Sequence, residues 1–115
     1  MYLCGTLGAA FDAYLRQRAA VSAAEAYELQ KFGLDETERL MDELEEEVRS
    51  SINEGETLAP RRSPGYGSEP LSDSREIIEA LDATKKIGVS LTDSFQLVPT
   101  KSVTARCRIF HKNMI

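Results

Sequence analysis

Arg61-Arg62-Ser63-Pro64-Gly65-Tyr66-Gly67-Ser68-Glu69-Pro70-Leu71 divides a helical N-terminal half from a mixed C-terminal half. The stretch holds two of the four prolines and two of the seven glycines. Pro64 and Pro70 fix φ and remove two backbone donors. Gly65 and Gly67 allow positive φ or a close approach of backbone. An arginine pair stands just upstream and a tyrosine lies between the glycines. Two readings fit. One is a ligand loop, with arginine as a carboxylate fork and tyrosine as a flat face. The other is a connector made of turn residues and solvated arginines.

Upstream of the loop the period is helical. Leu7, Phe11, Tyr14 and Leu15 predict a helix over about Thr6 to Ala20. Ser22 with Glu25 reads as a capping box opening a second, long helix. Tyr27, Phe32, Leu34, Leu40, Met41, Leu44, Val48 and Ile52 mark its expected buried stripe. Asp35, Glu36, Glu38, Asp42, Glu43, Glu45, Glu46 and Glu47 form a charged, solvated face. Asp35 with Arg39 and Glu45 with Arg49 are favourably oriented pairs. Gly33 is out of place by propensity, so it marks a kink or a close packing point.

Downstream, Asp73 is the expected N-cap of a third helix running to Lys86, with Ile77, Ile78 and Leu81 buried and Gly88 as the stop. The period then becomes two. Val103, Ala105, Cys107 and Ile109 alternate with Thr104, Arg106, Arg108 and Phe110. The expectation is an antiparallel hairpin of Asp93–Val98 with Ser102–Ile109. The fold class is therefore α+β, in one domain over residues 1–115.

Composition excludes several functions. The net charge of −5 disfavours a nucleic-acid partner. No run approaches the roughly 18 apolar residues of a membrane span, and the N-terminus is unlike a signal peptide, so the expected location is cytoplasmic. Cys4 and Cys107 are too few and too far apart for a metal pattern and read as small buried side chains. The single histidine, His111, reads as a solvated tail residue. No catalytic triad, P-loop or dinucleotide fingerprint is present.

Arg61-Arg62-Ser63-Pro64-Gly65-Tyr66-Gly67, the helix after it, Ile87-Gly88-Val89-Ser90-Leu91-Thr92-Asp93-Ser94-Phe95, Pro99 and Ser102-Val103-Thr104-Ala105 resemble the activation domain of vitamin B12-dependent methionine synthase. Their order, spacing and type agree over about forty-five positions. Gly5-Thr6-Leu7-Gly8 and Leu44-Glu45-Glu46-Glu47-Val48-Arg49 are similar to upstream family segments. The resemblance implies binding of S-adenosylmethionine. It also implies reductive methylation of an oxidised cobalamin held by a partner domain or subunit, with a flavodoxin-type reductant. By position, Arg61 matches a ligand-contacting arginine, Gly65 and Tyr66 match the loop that holds the ligand, and Glu38 matches a helix carboxylate near the ligand's cationic end. Arg62 is at a variable position and reads as solvated; Asp93 and Ser94 read as structural. The chain begins part-way into the family domain, and Arg106-Cys107-Arg108-Ile109-Phe110-His111 departs from the family's more apolar ending. A partial domain is therefore expected, whether a natural short form, part of a split protein or a truncated frame. Its open sheet edges are expected to pair with another chain, a second copy included. The alternative is a non-catalytic helical interaction module that has lost the ligand site.

Overall fold

The N-terminal residues form a strand before any helix begins. A computed structural model, describing residues 1–111, places β1 at Tyr2–Thr6. Gly8, at φ 88°, then turns the chain, and its N–H donates to Thr6 Oγ1 at 3.0 Å. The first helix, α1, therefore covers Ala9–Ala19 and starts later than the apolar spacing predicts. That spacing marks the helix's apolar face but does not fix the residue at which the helix begins.

α2 spans Ala23–Ser51. Ser22 caps it as expected, its side chain accepting from the Glu25 N–H at 3.2 Å. The Glu25 carboxylate does not close the capping box. It pairs with Arg18 at 2.6 Å and ties α1 to α2. At about 1.5 Å per residue, α2 is far longer than the sheet it packs on. Only its second half meets the core: Met41 is fully buried, and Leu44, Val48 and Ile52 pack on Leu3, Leu58, Ala105 and Cys107. The first half rests on α1, apart from the Lys101 side chain at Gln30 and Gly33, so Tyr27, Phe32 and Leu34 are exposed. The buried stripe expected across the whole helix is thus confined to its C-terminal half. The projecting pair gives the molecule its 64 × 27 × 27 Å extents. Arg39 bonds Glu36 and Glu43 rather than Asp35, while the Glu45–Arg49 pair forms as expected.

The remaining elements are β2 (Glu56–Leu58), α3 (Asp73–Leu81), α4 (Ala83–Ile87), β3 (Ser90–Leu91), β4 (Leu97–Val98), β5 (Ser102–Arg106) and β6 (Ile109–His111). Three antiparallel pairs result: β1 with β5, β2 with β6, and β3 with β4. A C-terminal hairpin is present, but it joins β3 to β4. Ser102–Arg106, expected to fold back on Asp93–Val98, pairs instead with Tyr2–Thr6, Leu3 opposite Ala105. A tight turn explains the difference. Thr92 N–H donates to the Gln96 carbonyl at 2.9 Å, and Phe95 lies at φ 62°. Only Leu97 and Val98 remain extended before Pro99, which lacks a ladder donor. His111 ends β6 with its side chain solvent-exposed and 3.7 Å from Glu56, rather than lying in a loose tail.

The predicted third helix is two helices. Asp82, at φ 52°, is left-handed and separates α3 from α4; Gly88, at φ 73°, ends α4 as expected. Ser72, not Asp73, is the N-cap residue, and it makes no side-chain bond. The β1–β5 pair has helices on both faces. Leu3, Gly5 and Ala105 face α2, where Leu40 and Met41 fill the space a Cβ on Gly5 would take. Cys4 faces Ile78, Ala83 and Val89, and Thr104 bonds Ser74 of α3 at 3.0 Å. The architecture is α+β, a small antiparallel layer between helices. No helix among the described residues is long and apolar enough to cross a membrane.

Candidate functional site

The loop after β2 is held along the C-terminal strands. Ala59 N–H donates to the Arg108 carbonyl at 2.8 Å, and Arg62 and Arg106 exchange both backbone bonds at 2.8 Å. Pro64 is buried, and the chain then turns back on itself. Tyr66 N–H donates to the Ser63 carbonyl at 3.3 Å, Glu69 N–H to the Tyr66 carbonyl at 3.1 Å, and Gly65 N–H to the Glu69 carbonyl at 2.9 Å. Gly65 sits at φ 88° within this turn, a conformation an L side chain resists. Tyr66 is thereby carried outward on a closed loop, 75% exposed.

Arg61 lies against α2. Its guanidinium donates to Glu38 at 2.7 Å, Asp42 at 2.7 Å and Glu45 at 3.3 Å. The three acids recur at intervals of four and three, so they lie on one stripe of the helix. The Arg61 side chain is only 17% exposed. Burial works against its charge; the bonds from Asp42 and Glu38 more than offset this, and its pKa is raised. A guanidinium has more N–H donors than these three contacts use, so part of the fork is still available. Asp42 and Glu45 were absent from the sequence-derived site. Their spacing from Glu38 was the available signal, hidden within a uniformly acidic face.

Between the loop and α2 lies a cleft of about 370 Å³. Glu38, Arg61 and Tyr66 line it, together with Arg62, Glu69 and Val103. Three of the four residues singled out from sequence therefore share one cavity. Gly65 is not on its wall; it shapes the turn that presents Tyr66. Glu69 is nearly buried and pairs with Arg106, with Arg62 further off at 3.7 Å. On the far side of Tyr66 a smaller lobe of about 210 Å³ shares Ser63, Tyr66 and Val103 with the cleft and adds Ser74, Gln96 and Thr100. Asp93 and Ser94 are exposed in the β3–β4 turn, where Ser94 bonds Thr92 at 3.1 Å.

Nucleophilic chemistry has no support here. Burial pushes the Cys4 thiol up to about 11. The Cys107 thiol is raised by burial and then by the Glu45 charge. Both are poor thiolates at neutral pH. Among the described residues no group of three or more His, Cys, Asp or Glu is placed to hold a metal ion. The cleft offers a guanidinium, carboxylates, backbone groups and an aromatic ring, a set that can bind a small polar ligand.

Residues 14–113 match the family described as vitamin B12 dependent methionine synthase, activation domain. The chain belongs to this family. Among curated proteins, none matches it. Membership ties the activation domain to a B12-dependent methionine synthase, and so to cobalamin and to domains that bind a corrinoid. The match takes in α2, the Arg61–Tyr66 loop and everything to β6.

Proposed function

We propose that this activation domain binds S-adenosylmethionine in the cleft between α2 and the Arg61–Tyr66 loop. In this reading it serves a cobalamin-dependent methyltransferase and has no turnover of its own. The observation that carries the reading is convergence: Glu38, Arg61 and Tyr66, from a helix and a distant loop, line one cavity of about 370 Å³. That volume lies within the range of small-molecule sites.

The chemistry of the residues fits the ligand. The unused edge of the Arg61 guanidinium takes the ligand carboxylate. Glu38 faces the ammonium or sulfonium, exchanging part of its contact with Arg61 for the incoming cation, while Asp42 and Glu45 keep theirs. Tyr66 lies over the ring or the sulfonium. The three carboxylates hold Arg61 in place before the ligand arrives, which lowers the ordering cost on binding. Bound there, S-adenosylmethionine supplies an electrophilic methyl group for a cobalt held on another domain or subunit, with electrons from a flavodoxin-type reductant. Calorimetry with S-adenosylmethionine tests the assignment. Arg61→Ala is expected to weaken binding at least about tenfold, the loss of one charge-assisted contact. Absence of heat from the wild type, alone and mixed with corrinoid-binding partner domains, sinks the ligand role.

A second reading is a helical interaction module without a ligand. The exposed Tyr14, Val21, Tyr27, Phe32 and Leu34 on the projecting α1–α2 arm favour it. A stable complex or homodimer by light scattering, unaltered by S-adenosylmethionine, would support this reading over the first.

A further inference from the structure

Arg106, Arg108 and Phe110 line a second cleft beside the one that holds Arg61. Arg62 and Arg106 are directly paired across an antiparallel bridge, so their side chains stand next to each other. Arg108 and Phe110 follow Arg106 at alternate positions, while Cys107 between them is buried in the core. A cleft of about 260 Å³ is lined by Arg62, Arg106, Arg108, Phe110, Pro60 and Ala59. No carboxylate among the described residues lines it.

The local charge does not balance. Glu69 is the carboxylate that reaches this group; it pairs with Arg106 and is 3.7 Å from Arg62. Arg108 has no ion-pair partner among the described residues. Two guanidiniums therefore share one carboxylate and the third has none among the described residues, in a chain of net charge −5. Like charges directly opposite on neighbouring strands destabilise the pairing. Glu69 offsets part of this repulsion, and the exposed Arg62 and Arg108 keep hydrogen-bond donors that the fold does not use, which an anion can take.

We propose that this cleft is an anion site for a phosphorylated small molecule. Arg62, Arg106 and Arg108 take the phosphate oxygens, and Phe110 takes an apolar or aromatic part of the same ligand. Guanidinium forks match the several oxygens of a phosphate or diphosphate. The exposed Phe110 ring in the cleft lining suits a flat group such as a base. Arg62 also lines the Arg61 cleft, so the two cavities adjoin, but the anion site does not depend on the S-adenosylmethionine reading.

The test is a nitrogen-15 NMR titration of the full chain with inorganic pyrophosphate and with adenosine monophosphate at low salt. Saturable shifts are expected at Arg62, Arg106, Arg108 and Phe110. They should weaken as salt is added, because the contacts are partly exposed. Arg108→Gln is expected to cut pyrophosphate affinity about tenfold and the Arg62→Gln, Arg108→Gln pair to abolish it. Arg61→Ala is expected to leave it intact, which separates this proposal from the one above. Thermal melts guard against misfolding: pyrophosphate should raise the midpoint of the wild type but not of the double variant. Without ligand, the double variant should melt no lower than the wild type, since it removes a like-charge contact. No saturable shift with either probe overturns the proposal. So does equal binding by the double variant, or saturation by an acidic peptide alone.

Discussion

Gly33 shows how one residue can carry a packing decision. A Cβ there would lie 2.8 Å from two ring carbons of Phe11 and 3.0 Å from Lys101 Cε. Helix propensity favours alanine over glycine by about 1 kcal/mol. Overpacking against a ring typically costs about 1–3 kcal/mol. The clash should win, so Gly33→Ala is expected to lower unfolding free energy by about 1 kcal/mol. In a Phe11→Ala background the same change should become stabilising, and a double-mutant cycle by urea unfolding reads the sign change. Additive effects would mean that the ring is not the constraint. Arg61 teaches the converse. Its guanidinium was legible as a carboxylate fork, but its Glu38, Asp42 and Glu45 contacts depend on which turn of α2 passes beneath the loop.

At the scale of elements, the α1–α2 junction is fastened electrostatically. The Arg18 hydrogen bonds hold the Glu25 carboxyl below its usual range. A lowered folded pKa contributes stability above the unfolded value, and that contribution is lost as pH falls through the folded one. Melting midpoints of the wild type and Glu25→Gln should therefore differ near neutral pH and converge on acidification. Parallel curves down to low pH would show that the pair contributes nothing. The strands illustrate a different limit. Alternation correctly marked a strand from Ser102, yet β5 ends at Arg106 rather than Ile109 and takes its partner from Tyr2–Thr6. Periodicity identifies a strand's inner face but not its neighbour, because pairing depends on side chains brought from elsewhere in the chain.

Across the whole molecule, Met41 joins the second half of α2 to the β1–β5 layer and has no solvent exposure. Met41→Ala should cost about 2–5 kcal/mol, measured by urea unfolding, and loosen α2 beneath Arg61. A loss below about 0.5 kcal/mol would mean that this core is not what holds the helix. The sequence by itself determined the α+β class, the long second helix with its Ser22 cap, the break at Gly88, and the loop whose glycines and prolines allow only a turn. These depend on local backbone preference and on period, which neighbouring residues encode. Only the tertiary structure decided that Tyr2–Thr6 is a strand, that Tyr27, Phe32 and Leu34 lie exposed, and that Arg61 meets three acids of α2. It alone brought Arg62, Arg106 and Arg108 together. Each of these requires contacts between residues far apart in the chain, and such contacts leave no periodic trace in the residues that make them.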